Sequence, residues 1–68
     1  MTIHDILLNC GSVQADTLII ILDANEGAKW VGIFMDLPKE YGELKFKYFT
    51  IGVMVYKYVA RAHFKFYV

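Results

Sequence analysis

The last 21 residues, "YFTIGVMVYKYVARAHFKFYV" from Tyr48 to Val68, constrain this chain more than any other stretch. A membrane-spanning helix needs about 20 residues almost free of charge. Lys57, Arg61 and Lys65 interrupt this run and leave residues 48–56 as its longest uncharged piece, so neither a span nor a membrane partner is expected. The three cations stand four apart, as on one helix face, yet Phe, Tyr, Val, Ile and Thr fill most other positions and good helix formers are scarce. Alternation fits better. Tyr56, Tyr58, Ala60, Ala62, Phe64, Phe66 and Val68 take one side, and Lys57, Arg61, His63 and Lys65 the other, with Val59 and Tyr67 out of phase.

Upstream, Leu44, Phe46 and Tyr48 alternate with Lys45 and Lys47, but Phe49, Ile51, Val53 and Val55 carry the apolar phase one residue later. A phase slip calls for a bulge or turn, and Gly52 lies beside it. Three strands are predicted, over residues 44–50, 53–59 and 62–68, with a tight turn at Ala60 and Arg61.

The first half supplies the other elements. Thr2 followed by Asp5 marks a helix start, Ile3, Ile6, Leu7 and Cys10 form one apolar stripe, and Gly11 closes the helix. "TLIIIL" (17–22) reads as a strand buried on both faces, "DANEG" (23–27) as its turn, and "AKWVGIFM" (28–35) as the returning strand. In "DLPKEY", Asp36 is placed as the cap of one or two helical turns, with Pro38 near their start. The predicted fold class is α+β, a single domain in which the N-terminal helix packs on a mostly antiparallel sheet of about five strands.

A chain of 68 residues lies near the lower limit for one self-sufficient core. Its single cysteine, Cys10, rules out an internal disulfide and a cysteine-cluster zinc site. With 57% apolar residues, and a sheet that one helix cannot cover, the sequence predicts a homo-oligomer, completed where a terminal edge strand "FKFYV" pairs with another copy. No basic flank followed by an apolar core opens the chain, so an intracellular, cytoplasmic location is expected.

Net charge is zero but unevenly spread. Residues 1–38 hold five acids against Lys29, and residues 39–68 hold six cations against Glu40 and Glu43. Such asymmetry marks either a basic binding face or acidic and basic parts that meet. Lys45, Lys47, Lys57, Arg61, His63 and Lys65 are therefore the candidate nucleic-acid or anion-binding residues, the tyrosines being available to stack bases. The alternation sets most aromatic rings opposite those charges. Lys57, Arg61 and Lys65 also raise a small anion held at a subunit interface. Candidate interface anchors are Trp30, Tyr41, Phe64, Phe66 and Tyr67.

Catalytic signals are weak. His4 and His63 lack a ligand or acid–base partner at a recognised spacing, Ser12 lies outside a nucleophile elbow, and neither a phosphate loop nor a dinucleotide fingerprint is present, so no cofactor is expected. Asp16, Asp23, Glu26 and Asp36 read as turn acids, and Asp23 with Asn25 falls short of a calcium loop at Ala28 and Phe34. A non-enzymatic binding protein is the expectation.

The order of segments "MTIHDILL", "TLIIILDANEG", "DLPKEY" and "YFTIGV", followed by an aromatic strand, resembles short uncharacterised proteins of phages and prophages. That resemblance implies an origin in a phage or mobile element. It also implies action by binding, for example as an inhibitor of a bacterial defence system in the manner of anti-CRISPR proteins, in the host cytoplasm and against a host protein.

Overall fold

A computed structural model describes residues 1–25 and 27–68; Glu26, which the sequence reading puts in the first turn and among the acids, lies outside them. The elements in chain order are α1 (Ile3–Asn9), β1 (Leu18–Asp23), β2 (Gly27–Ile33), a 3-10 turn (Phe34–Asp36), α2 (Lys39–Gly42), β3 (Tyr48–Tyr56) and β4 (Val59–Tyr67). The chain is α+β, with four strands rather than five, in the order β2-β1-β4-β3. The two hairpins are antiparallel, and they join through a parallel pairing of β1 with β4 that makes the sheet mixed.

Helix α1 forms where its capping residues allow. The Thr2 hydroxyl accepts from the Asp5 amide at 3.2 Å, and the Asp5 carboxylate accepts from the Thr2 amide at 2.8 Å, a reciprocal cap. These bonds hold the Asp5 carboxyl below its ordinary pKa. Ile3 and Leu7 face down onto Ile19, Ile21, Phe64 and Phe66, and these six residues are the buried core. The 3-10 turn and α2 lie on the same side. The α2 start differs from the sequence reading: Asp36 belongs to the 3-10 turn, and the Pro38 carbonyl takes the amides of Tyr41 and Gly42 without a side-chain cap. Gly42 is buried under the ring of His4, which docks α2 on α1 because nothing larger than hydrogen fits there.

Strand β1 is buried on both faces, as "TLIIIL" predicts. Ile19 and Ile21 lie beneath the helices; Leu18 and Ile20 point to the opposite face, between Ile33 and Val31 of β2 and His63 and Lys65 of β4. Among the described residues no helix covers that opposite face.

The C-terminal run departs most from expectation. It makes two nine-residue strands instead of three, and its turn is Lys57–Tyr58 instead of Ala60–Arg61. Both turn residues have positive φ, 51° and 67°, the geometry a two-residue hairpin loop needs to follow the right-handed twist of its strands. Side chains at positive φ cost about 1–2 kcal/mol each. The nine-pair ladder and the Arg61 Nε–H bond to the Tyr56 carbonyl at 3.3 Å hold the turn against that cost. Gly52 marks neither turn nor bulge: it pairs in register with His63, whose imidazole lies over it, where an added Cβ would come within 2.7 Å of Cε1. Nor is the terminal strand an edge. β4 lies between β1 and β3, and the edges of the sheet are β2 and β3.

Candidate interaction site: the β3 edge and the open sheet face

The two-residue turn resets the side-chain phase. Residue i of β3 pairs with residue 115 − i of β4, so even positions of β3 share a face with odd positions of β4. Tyr48, Thr50, Met54 and Tyr56 therefore stand on the open face with Arg61, His63, Lys65 and Tyr67, whereas Phe49, Ile51, Val53 and Val55 stand on the helix side with Phe64 and Phe66. Alternation read as one continuous strand sets Tyr48 and Tyr56 opposite the cations and leaves Tyr67 beside them. In the folded chain Tyr48 and Tyr56 join that side as well.

The candidate cations do not converge. Arg61 is held by Asp16, through the carbonyl oxygen at 3.2 Å and the carboxylate at 3.7 Å. Lys65 is four residues along the same strand, about 13 Å away, too far to share one small anion with Arg61. Lys57 sits at the hairpin tip with its amine 5.5 Å from the Tyr56 ring centre. Lys47 donates its backbone amide to Tyr67 at 2.7 Å beside the stacked Tyr48–Tyr67 pair, whose ring centres are 4.4 Å apart. Lys45 bridges to Thr2 at the start of α1. Between Arg61 and Lys65, His63 has a buried Nδ1 with no hydrogen-bond partner among the described residues. Burial holds its imidazole below the ordinary histidine pKa, and Lys65 adds to the effect.

The candidate interface aromatics divide differently. Phe64 and Phe66 are core, and Trp30 and Tyr41 pack against it, Trp30 folding its indole over Gly32. Only Tyr67 of that group lies on the open face. The acids are spread as well: Asp16 meets Arg61, and the Asp23 carboxylate accepts the Asn25 amide at 2.8 Å in the first turn. The Cys10 thiol lies 3.2 Å from the Ser12 hydroxyl, a contact that holds its pKa below the usual thiol value. Among the described residues no three metal-binding side chains come together, and no helix is long and apolar enough to cross a membrane.

The feature that sequence reasoning passed over is β3 itself. "YFTIGVMVY" contains no charge, no proline and no bulge, and Ile51, Val53 and Val55 are 62%, 73% and 71% exposed. Its backbone orientation follows from two bonds. The Val68 amide donates to Leu22 of β1, and the Tyr67 carbonyl accepts from Lys47, so even residues of β4 address β1 and odd residues address β3. Ladder alternation then turns the N–H and C=O groups of Phe49, Ile51, Val53 and Val55 outward. Beside this edge an open groove of about 650 Å³ runs between α1 and β3, lined chiefly by Ile6, Cys10, Phe49, Ile51 and Phe64. The signal was present as the longest uncharged piece of the C-terminal run, but the register that makes it an edge was not.

Comparison with protein-family models, with curated proteins and with solved structures finds no match to this chain.

Proposed function

We propose that this chain is a small, non-enzymatic binding protein that engages its partner by strand addition at β3. The observation that carries this reading is the uncharged, regular edge strand, with four residues' backbone groups turned outward beside exposed Ile51, Val53 and Val55. Main-chain hydrogen bonds from such an edge supply affinity, and the apolar groove beneath it supplies selectivity. The resemblance to short phage and prophage proteins supports a phage or mobile-element product that occludes a host protein in the host cytoplasm, as inhibitors of defence systems do.

The test uses extended peptides. A fluorescent peptide of residues 48–56 and an unrelated alternating strand peptide, both solubilised by terminal lysines, are titrated against the folded protein. The reading requires saturable binding that Val53→Lys weakens. With the protein diluted until it is monomeric, no binding of either peptide, or equal binding to wild type and variant, overturns it.

A second reading is favoured by the phase reset alone: Tyr48, Tyr56 and Tyr67 share the open face with Arg61, His63 and Lys65, a platform on which single-stranded nucleic acid would stack. Binding of an oligonucleotide whose affinity falls steeply with salt, and which Lys65→Glu weakens, supports it; no binding at low salt removes it.

A further inference from the structure

We infer that the occupant of the β3 edge is a second copy of the same strand, paired antiparallel about a two-fold axis through Gly52. This inference rests on the strand-addition reading and names its partner.

Gly52 is the central residue of Tyr48–Tyr56. Pairing two copies about it sets residue i opposite residue 104 − i. Phe49 then meets Val55 of the second copy, Ile51 meets Val53, Thr50 meets Met54 and Tyr48 meets Tyr56. Odd positions oppose odd positions, so the outward-facing N–H and C=O groups of Phe49, Ile51, Val53 and Val55 face each other and exchange about eight hydrogen bonds. A one-residue slip would set outward groups against inward ones and reverse the faces. Slips of two residues keep the parity but set Lys47 opposite Val55 or Lys57 opposite Phe49. The register centred on Gly52 is therefore the one that pairs the whole uncharged strand with itself and leaves both lysines at the rim.

The side chains agree with the backbone. On the helix side, Val53 and Val55 of the second copy come alongside Ile51 and Phe49, at the mouth of the groove under α1. On the open face no cation opposes a cation within the strand. The assembly also closes. Both β3 edges are consumed, and the remaining edges are the β2 strands, each broken by an extra residue, Lys29, between the pairs Ile21–Trp30 and Leu22–Ala28. A bulged edge carrying lysine resists further addition, so the product is an isologous dimer with an eight-stranded sheet rather than a fibre. Opposed Lys47 and Lys57 at the rim repel through solvent, so added salt strengthens the dimer, the opposite of its effect on phosphate binding.

Sedimentation equilibrium from the low-micromolar to the millimolar range measures the association, with circular dichroism as the folding control. Wild type should dimerise, and Val53→Lys should weaken dimerisation at least about tenfold by setting an ammonium group in an apolar ladder. Its spectrum should stay unchanged, because Val53 is exposed in the monomer. Register is read by disulfide trapping in a Cys10→Ser background. The double variant Thr50→Cys/Met54→Cys should form intermolecular disulfides, since the two positions oppose each other about 4.5 Å apart at a non-hydrogen-bonded pair. Either single variant should not. A wild type that stays monomeric throughout, a dimer indifferent to Val53→Lys, or trapping by the single variants alone overturns the inference. If the strand peptides bind while the protein stays monomeric, strand addition stands and the second-copy assignment fails. If neither occurs, both fail.

Discussion

The two edges of this sheet are built on opposite principles. β2 carries a lysine at a bulge, and its hairpin turn ends on Gly27 at φ 76°, a conformation open to glycine without strain. β3 runs nine residues in unbroken register, has no charge, and reaches its turn through Lys57 and Tyr58, two side-chain residues at positive φ. Each edge holds a glycine under an aromatic ring, but with different partners. Trp30 covers Gly32 from within its own strand, whereas His63 covers Gly52 from the neighbouring strand. Edges that must stay free of other chains are charged, bulged or shortened. β2 has two of these protections and β3 has none, so β3 is the unprotected edge of the sheet.

The strongest way to break this comparison is through the centre that both edges share. Phe66 is fully buried and touches Phe46 and Phe49, and Phe66→Ala should cost about 3–5 kcal/mol. For so small a domain that approaches the whole stability. Hydrogen exchange should then accelerate in β2 and β3 together; loss of protection in β3 alone would show that the edges are not parts of one cooperative sheet. Next in size is a matched pair. Gly52→Val pushes a branched side chain into the His63 ring across the β3–β4 ladder and should cost about 1–3 kcal/mol. Gly32→Val meets the Trp30 ring within β2, and its effect should be confined to that strand and to indole fluorescence. Denaturant melts with exchange mapping distinguish the two, and equal spread of both effects would erase the contrast.

A smaller change sharpens the comparison of turns. Tyr58 is fully exposed at positive φ, so Tyr58→Gly should stabilise the hairpin by about 0.5–1 kcal/mol, read as a raised denaturation midpoint. The smallest effect is the pH dependence at His63. Its pKa is lowered in the fold, so the unfolded chain takes up a proton first. The contribution of neutral His63 is complete above the ordinary histidine value near 6.5 and is lost as pH falls through the lower folded value. His63→Phe keeps a ring over Gly52 without a titrating group, and should flatten the acid limb of stability between pH 7 and 5. An unchanged limb would show that His63 does not control it.

Much of the architecture was legible because its signals are local. Thr2 and Asp5 close the cap of α1, the β-branched run at residues 18–21 makes the doubly buried strand, and Gly27 makes the first turn, each through contacts a few residues apart. The second turn was not legible, since Lys57 and Tyr58 carry none of the usual turn residues and take positive φ only because nine cross-strand pairs hold them there. That shift of the turn from residues 60–61 to 57–58 altered everything downstream in the candidate site. It moved Tyr48 and Tyr56 onto the cationic face, removed the bulge from Gly52, and left two strands where three were expected.

The sequence by itself determined composition-level properties: a chain too short and too apolar for comfort, one cysteine, an N-terminal helix, strands at the C-terminus, and an uncharged nine-residue run of strand-forming residues at 48–56. Tertiary structure alone decided that this run lies at the rim of the sheet. Edge position depends on strand order, and strand order comes from the parallel pairing of β1 with β4, residues more than forty apart in the chain. Such pairing is set by which apolar faces bury one another beneath α1, a property of the packed whole that no local pattern encodes.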